Sequence, residues 1–203
     1  YPAKRMGLPI ANLVIATNSN DILARTLETG SYETDGVVPT ISPSMDIQVS
    51  SNFERLLFES LGRDAPALKR LMDGLQQSGA FTVPPLALAV IREAFAAGRA
   101  SEAETSATIA RTYKDAGYLL DPHSAVGVSV AEKLELGIVP VVVLATAHPA
   151  KFPIAVKAAT AIEPALPAWL SDLYERPERY DVLANDQGGV EAFIRAHSRA
   201  GRS

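Results

Sequence analysis

Apolar positions along this chain change spacing repeatedly, and each change marks an element. Ala11 to Thr17 (ANLVIAT) is a compact, β-branched apolar run that reads as a buried strand. Asn18, Ser19, Asn20 and Asp21 then offer capping groups, and Ile22, Leu23 and Leu27 begin a helix that Gly30 stops. Such a strand–loop–helix unit is the repeating element of α/β proteins. Upstream, the first ten residues read as the tail of a helix ending at Gly7, with Pro9 beyond it.

Ser31 to Ser44 is rich in Gly, Pro, Ser and Thr and reads as an irregular loop. A helix is predicted from about Asn52 to Leu61, capped by Ser50 or Ser51. Another spans Asp64 to Gln77, with Leu68, Leu71, Met72 and Leu75 at helical spacing. Gly79 to Val83 suits a short strand, and Pro84 and Pro85 open a helix predicted through Ala97. Ser101 and Glu104 form a capping box for a helix to about Gly117. Asp121 caps a further helix, predicted to run to Leu136 and end at Gly137. Val139 to Ala145 (VPVVVLA) is the clearest strand, apolar on both faces as in the middle of a helix-covered sheet. A helix after Pro153 reaches Thr160, a proline-containing linker spans Glu163 to Pro167, and short helices fall at Trp169–Tyr174 and Gln187–His197. The sum is one α/β lobe over residues 1–165, a parallel sheet flanked by helices with a helical insert. Residues 166–203 form a helical tail rather than a second separable domain.

Composition narrows the function classes. Hydrophobic residues make up 47% and charged residues 21% of 203 residues, enough to bury a sizeable core. A net charge of −4, with both signs interspersed, gives no basic stripe for nucleic acid and no attraction to an anionic membrane. No apolar run is long enough to span a bilayer, and no signal-like stretch opens the chain, so a cytoplasmic setting is expected. The chain starts at Tyr1 without an initiator methionine, and we expect it to begin inside a longer polypeptide. It has no cysteine, and its three histidines lack metal-ligand spacing, which argues against a zinc site.

Three loops place polar groups beside a strand end or a helix start, where ligands bind in open α/β sheets. In Ala145-Thr146-Ala147-His148-Pro149, Thr146 either caps a turn or offers its hydroxyl to a heteroaromatic nitrogen. Asp121-Pro122-His123-Ser124 is either an ordinary helix cap or an anion site. Ser42 to Asp46, leading to Ser50, Ser51 and Asn52, is either a capping cluster or an anion cradle, with Asp46 a candidate buried hydrogen-bonding residue. Lys151 reads as a solvated surface group, not a nucleophile. Nucleotide-binding glycine motifs and the G-x-S-x-G elbow are absent.

Four strings together go further: TNSNDIL (17–23), SPSMDIQVSSNFERLLFE (42–59), GYLLDPHSAVG (117–127) and ATAHPAKFP (145–153). In this order and spacing they resemble the bacterial and fungal branch of the threonine synthase family, over about residues 1–165. The resemblance implies the C-terminal part of a fold type II pyridoxal-phosphate enzyme similar to the tryptophan synthase β subunit. Such an enzyme converts O-phospho-L-homoserine and water into L-threonine and phosphate, with pyridoxal phosphate as electron sink.

By resemblance, Thr146 partners the pyridine nitrogen of the cofactor. A neutral hydroxyl there leaves that nitrogen largely unprotonated and favours chemistry at the β and γ carbons. Ser44, Asp46, Ser51, Asn52, His123 and Ser124 line the substrate crevice, and Asn18 and Asn20 are weaker candidates. Ser124 stands where the family motif carries threonine, a change that keeps the hydroxyl. The family's cofactor lysine and its Gly-Asn-Phe-Gly-type phosphate loop belong to the N-terminal half and do not occur here. The expected partner is therefore the N-terminal part of the same enzyme, and no catalytic residue is assigned within this chain. Two alternatives stay open: another fold type II lyase with a different substrate, and a non-catalytic lobe serving in assembly.

Overall fold

The computed structural model describes residues 1–134 and 136–199. The first elements are α1 (Pro2–Arg5), β1 (Leu13–Thr17), α2 (Ile22–Thr29) and β2 (Ser31–Glu33). They are followed by α3 (Ser51–Ser60), α4 (Ala65–Ser78), β3 (Ala80–Thr82), α5 (Pro85–Ala94) and β4 (Phe95–Arg99). The remaining helices are α6 (Glu102–Ala116), α7 (Pro122–Lys133), α8 (Pro153–Thr160) and α9 (Gln187–His197). The chain divides into two compact units, Tyr1–Ala165 and Leu166–Ser203.

In the first unit β1 and β4 pair in parallel, from Leu13 opposite Phe95 to Thr17 opposite Arg99. The Ala100 N–H donates to the Thr17 carbonyl at 2.9 Å and extends the ladder beyond both strands. Parallel strands need a long crossover, and everything from α2 to α5 serves as one. Within that crossover β2 and β3 pair antiparallel. Their shared face buries Tyr32 and Phe81, whose rings stack at 4.8 Å, with Phe53 of α3 stacked on the same tyrosine at 5.7 Å. Ile22, Leu57, Val83 and Ile91 complete this core.

Helix α7 covers the parallel pair. Val126 and Val130 are buried, with Val14 and Ala16 of β1 packed against them. The approach is close enough that a Cβ on Gly98 would meet Val130 Cγ1 at 2.8 Å. The sequence-predicted helix through Ala97 instead ends at Ala94, and β4 follows at once. Alanines favour helix locally. Pairing with β1 and the need for small residues beneath α7 override that preference. Ser31–Glu33, expected in a loop, is a strand because Ala80–Thr82 supplies its partner edge. The helix expected to reach Leu136 ends at Lys133, and Glu135 lies outside the described residues.

The largest departure is Val139–Ala145, which forms no strand. Val142 is 82% exposed and Leu144 75% exposed. At Val143 the segment presses on the fold, where a Cβ on Gly127 of α7 would meet Val143 Cγ1 at 2.8 Å. A strand requires an edge to pair with. Neither of the two-stranded sheets, β1–β4 or β2–β3, includes this segment.

The second unit carries short 3-10 turns at Ala168–Leu170 and Leu173–Glu175, where a helix over Trp169–Tyr174 was expected. Its helix α9 is capped by Asp186, which accepts the Gly189 N–H at 2.7 Å. No helix among the described residues is long and apolar enough to cross a membrane.

Candidate functional site

Two polar loops meet beyond the carboxyl ends of β1 and β4. The first begins where β1 runs out at Thr17 and turns through Asn18 and Asn20, both almost fully buried. Buried amides must be hydrogen-bonded. Asn18 Nδ2 donates to Asp46 Oδ1 at 2.7 Å and to Ser42 Oγ at 2.9 Å. Asn20 Nδ2 donates to the same Asp46 oxygen at 2.9 Å and to the Val38 carbonyl at 2.8 Å, while Asn20 Oδ1 accepts the Val38 N–H. Thr40 donates its hydroxyl to Asp46 Oδ1 at 2.7 Å and its N–H to Asp46 Oδ2 at 2.8 Å. Asp46 is thus the hub that folds residues 38–46 onto the end of β1.

The second loop is the N-terminus of α7. Asp121 is buried and caps the helix, Oδ1 accepting the N–H groups of His123 at 2.9 Å and Ser124 at 3.3 Å. Its other oxygen accepts the Ser124 hydroxyl. His123 Nδ1 lies 3.0 Å from Asp121 Oδ1. A carboxylate only accepts, so that nitrogen carries the proton. His123 Nε2 accepts the Ser44 N–H at 3.2 Å, and Phe152 lies against the imidazole at 4.6 Å between ring centres. This contact joins the two loops.

The N–H groups of Thr40, Ile41, Ser42, Ser44, Met45 and Asp46 all have acceptors within the chain. Those at the start of α7 are taken by Asp121. Neither backbone is free to cradle an anion. The N-terminus of α3 differs, because Ser50 makes no side-chain cap. Ser51 and Asn52 are exposed on that first turn, with Arg55 donating to Asn52 Oδ1. Tyr32 fixes the approach to the turn, its hydroxyl donating to the Gln48 carbonyl at 3.0 Å and accepting the Ser50 N–H at 2.9 Å.

Of the predicted site residues, Asp46 falls in one hydrogen-bonded cluster and Ser44, His123 and Ser124 in a second, and the short turn from Ser42 to Asp46 links the two. Among the described residues no hydrogen bond ties Ser51 or Asn52 into either cluster. Thr146 is exposed at the end of the unpaired apolar segment, and His148 Nδ1 accepts the Ala150 N–H at 3.2 Å as a turn cap. Residue-type reasoning missed Thr40 and Glu102. The Glu102 carboxylate accepts the Ile41 N–H at 3.0 Å through Oε2, and its buried Oε1 has no hydrogen-bond partner among the described residues. Only the hydroxyl-rich spacing of Thr40 and Ser42 ahead of Asp46 hints at the first, and no local pattern signals the second.

A separate cavity of about 460 Å³ between α2 and β4 contains none of the predicted site residues. Its cations are already engaged. Arg25 and Arg99 pair with Asp21 at 2.8 and 2.6 Å, and Arg92 donates to the Leu27 and Glu28 carbonyls. Burial pushes the Asp21 carboxyl up, but hydrogen bonds from Arg99 and Arg25 outweigh it and hold the group below the usual carboxylate value.

A helix-flanked parallel pair with polar loops at its carboxyl end places the molecule among α/β lobes of the fold type II class. Residues 124–194 match the family described as threonine synthase, C-terminal. A threonine synthase from Pseudomonas aeruginosa is 47% identical over 204 residues, covering 100% of this chain and 44% of that protein. The crystal structure of a PLP-bound threonine synthase from Brucella melitensis superposes with a TM-score of 0.88 at 62% identity, over 97% of this chain and 42% of the other. A threonine synthase from yeast superposes at 0.79 with 38% identity, over 87% and 40%. The chain is similar along its whole length to part of a threonine synthase, and residues 124–194 match the model of that family's C-terminal region. It spans less than half the length of these relatives.

Proposed function

We propose that this chain supplies one wall of a threonine synthase active site, in an enzyme that converts O-phospho-L-homoserine and water to L-threonine and phosphate. The observation that carries the reading is the pair of polar clusters, Asn18–Asp46 and Ser44–His123, that the Ser42–Asp46 turn brings together at the carboxyl end of the parallel pair, in a chain with these relatives. Ser44, Asp46, His123 and Ser124 form the ordered part of the wall. Ser51 and Asn52 are assigned to the substrate phosphate, supported by the uncapped first turn of α3 and the adjacent Arg55.

The proposed cofactor is pyridoxal phosphate, which when bound stabilises negative charge on the substrate carbons. Thr146 fits it: its hydroxyl has no partner among the described residues, whereas those of Thr40 and Ser124 are engaged. As partner of the ring nitrogen, a neutral hydroxyl leaves that nitrogen largely unprotonated. The other partner is the N-terminal part of the same enzyme, bearing the cofactor lysine. The exposed apolar segment Val139–Ala145 supports this, because an aliphatic run of that kind is expected inside a sheet. On the same reading, residues 1–165 belong to the cofactor-binding catalytic domain and 166–203 form its helical tail, in a cytoplasmic enzyme.

The test is product formation by the full-length protein given pyridoxal phosphate and O-phospho-L-homoserine. Threonine and phosphate are expected in equal amounts, and Thr146→Ala is expected to lower turnover with little change in melting temperature. Absence of phosphate release would remove the proposed activity. Unchanged turnover in Thr146→Ala would remove that residue from the site.

A further inference from the structure

We propose that His123 is a positioning residue, holding the Ser42–Asp46 loop in its working shape through the Ser44 N–H rather than touching the substrate. The inference rests on the reading of this region as a substrate wall. It follows from the imidazole's surroundings. Side-chain exposure is only 5%, and both ring nitrogens are occupied. Nδ1 donates to the buried Asp121 carboxylate, and Nε2 accepts the Ser44 N–H at 3.2 Å. Phe152 packs on the ring and fixes its plane. No lone pair or proton is left over for a reacting group.

What the imidazole controls is the far side of the loop. Residues 38–46 are gripped at their two ends by Asn20 and Asn18 from the end of β1, and in the middle by Glu102 from α6. Those contacts fix Val38, Ile41 and Asp46. Ser44 sits exposed on the short 3-10 turn Pro43–Met45, and His123 supplies its tie to α7. Without that tie the Ser44 hydroxyl loses its register while the Asp46 hub stays intact. The effect belongs on substrate affinity, not on the chemical step.

The experiment uses the full-length protein with two pairs of variants. H123A removes the acceptor, whereas H123Q carries a side-chain carbonyl able to stand where Nε2 stands. S44P removes the donor N–H, with S44A as its reference because it keeps that N–H. We expect H123A to raise KM for O-phospho-L-homoserine about five- to tenfold, the weight of one hydrogen bond, with kcat changed by less than about twofold. H123Q should recover most of that loss, and S44P should show a similar rise relative to S44A. Amide exchange across residues 40–47 should quicken by a comparable factor in H123A. A collapse of kcat in H123A without rescue by H123Q would overturn the proposal and make the imidazole catalytic. Unchanged exchange across 40–47 would overturn it too. If the full-length protein does not act on phosphohomoserine, the exchange measurement still decides the clamp, and only the assigned activity falls. If H123A does not fold, the S44P and S44A pair decides.

Discussion

The loop that closes on Asp46 and the segment from Val139 to Thr146 are opposites in one respect. Around Asp46 the buried polar groups are nearly all answered within the chain, from the Asn18 amide to the Thr40 N–H. Along Val139–Ala145 most of the aliphatic side chains are exposed, and among the described residues no strand pairs with the backbone. Polar networks are short-range and directional, so a chain that holds all their members completes them alone. A central strand needs neighbours on both sides and cover above and below. On the proposed reading, the difference separates what this chain does by itself from what it leaves to the rest of the enzyme.

The first way to break the comparison is to remove the hub. Asp46→Ala strands the donors of Asn18, Asn20 and Thr40, and should destabilise the full-length protein by roughly 3–4 kcal/mol in denaturant titration. A loss below about 1 kcal/mol would show that these bonds exchange freely with water. The apolar region is probed by Val142→Asp. If the remainder of the enzyme covers it, the buried charge should cost about 3 kcal/mol in the full-length protein. A neutral effect would mean the segment stays exposed.

Two smaller effects sharpen the picture. Gly98→Val places methyl groups where Val130 already sits at 2.8 Å from the Cβ position. Overpacking there should cost about 1–3 kcal/mol by thermal melting, and a rise in stability would contradict the close seating of α7 on β4. The smallest effect concerns Glu104, which a Lys133 hydrogen bond, with help from the Ser101 N–H and hydroxyl, pulls down from 4.5 to about 2. Because its pKa falls on folding, its contribution is present above about 4.5 and is lost as pH drops through about 2. The carboxylate is 46% exposed, so solvent screening should keep that contribution below about 1 kcal/mol. Glu104→Gln should flatten the acid limb of the stability curve slightly; an unchanged limb would leave the pair without thermodynamic weight.

Much of the fold was legible from local rules. The capping box at Ser101–Glu104, the Asp121 cap and the prolines opening α5 and α7 all stand where the sequence places them. What was not legible depends on neighbours distant in the chain. Phe95–Ala97 reads as the end of a helix, yet pairing with β1 makes Phe95–Arg99 a strand. Ser31–Glu33 reads as loop until Ala80–Thr82 pairs with it. The candidate loops stood out by their position beside strand ends and helix starts. Their wiring did not, because the Ser44–His123 contact spans 79 residues and the Ile41–Glu102 contact spans 61. Apolarity predicted a strand at Val139–Ala145 from composition alone, but composition does not say which polypeptide carries the neighbouring edge.

Amide hydrogen exchange across Val141–Ala145 in the full-length protein tests the central claim, that this chain is one wall of a site completed by the rest of the enzyme. The account predicts protection comparable to that of Leu13–Thr17, since the segment should lie paired inside a sheet. Exchange at the rate of an unstructured peptide would contradict it and leave the segment an exposed strap on a self-sufficient lobe.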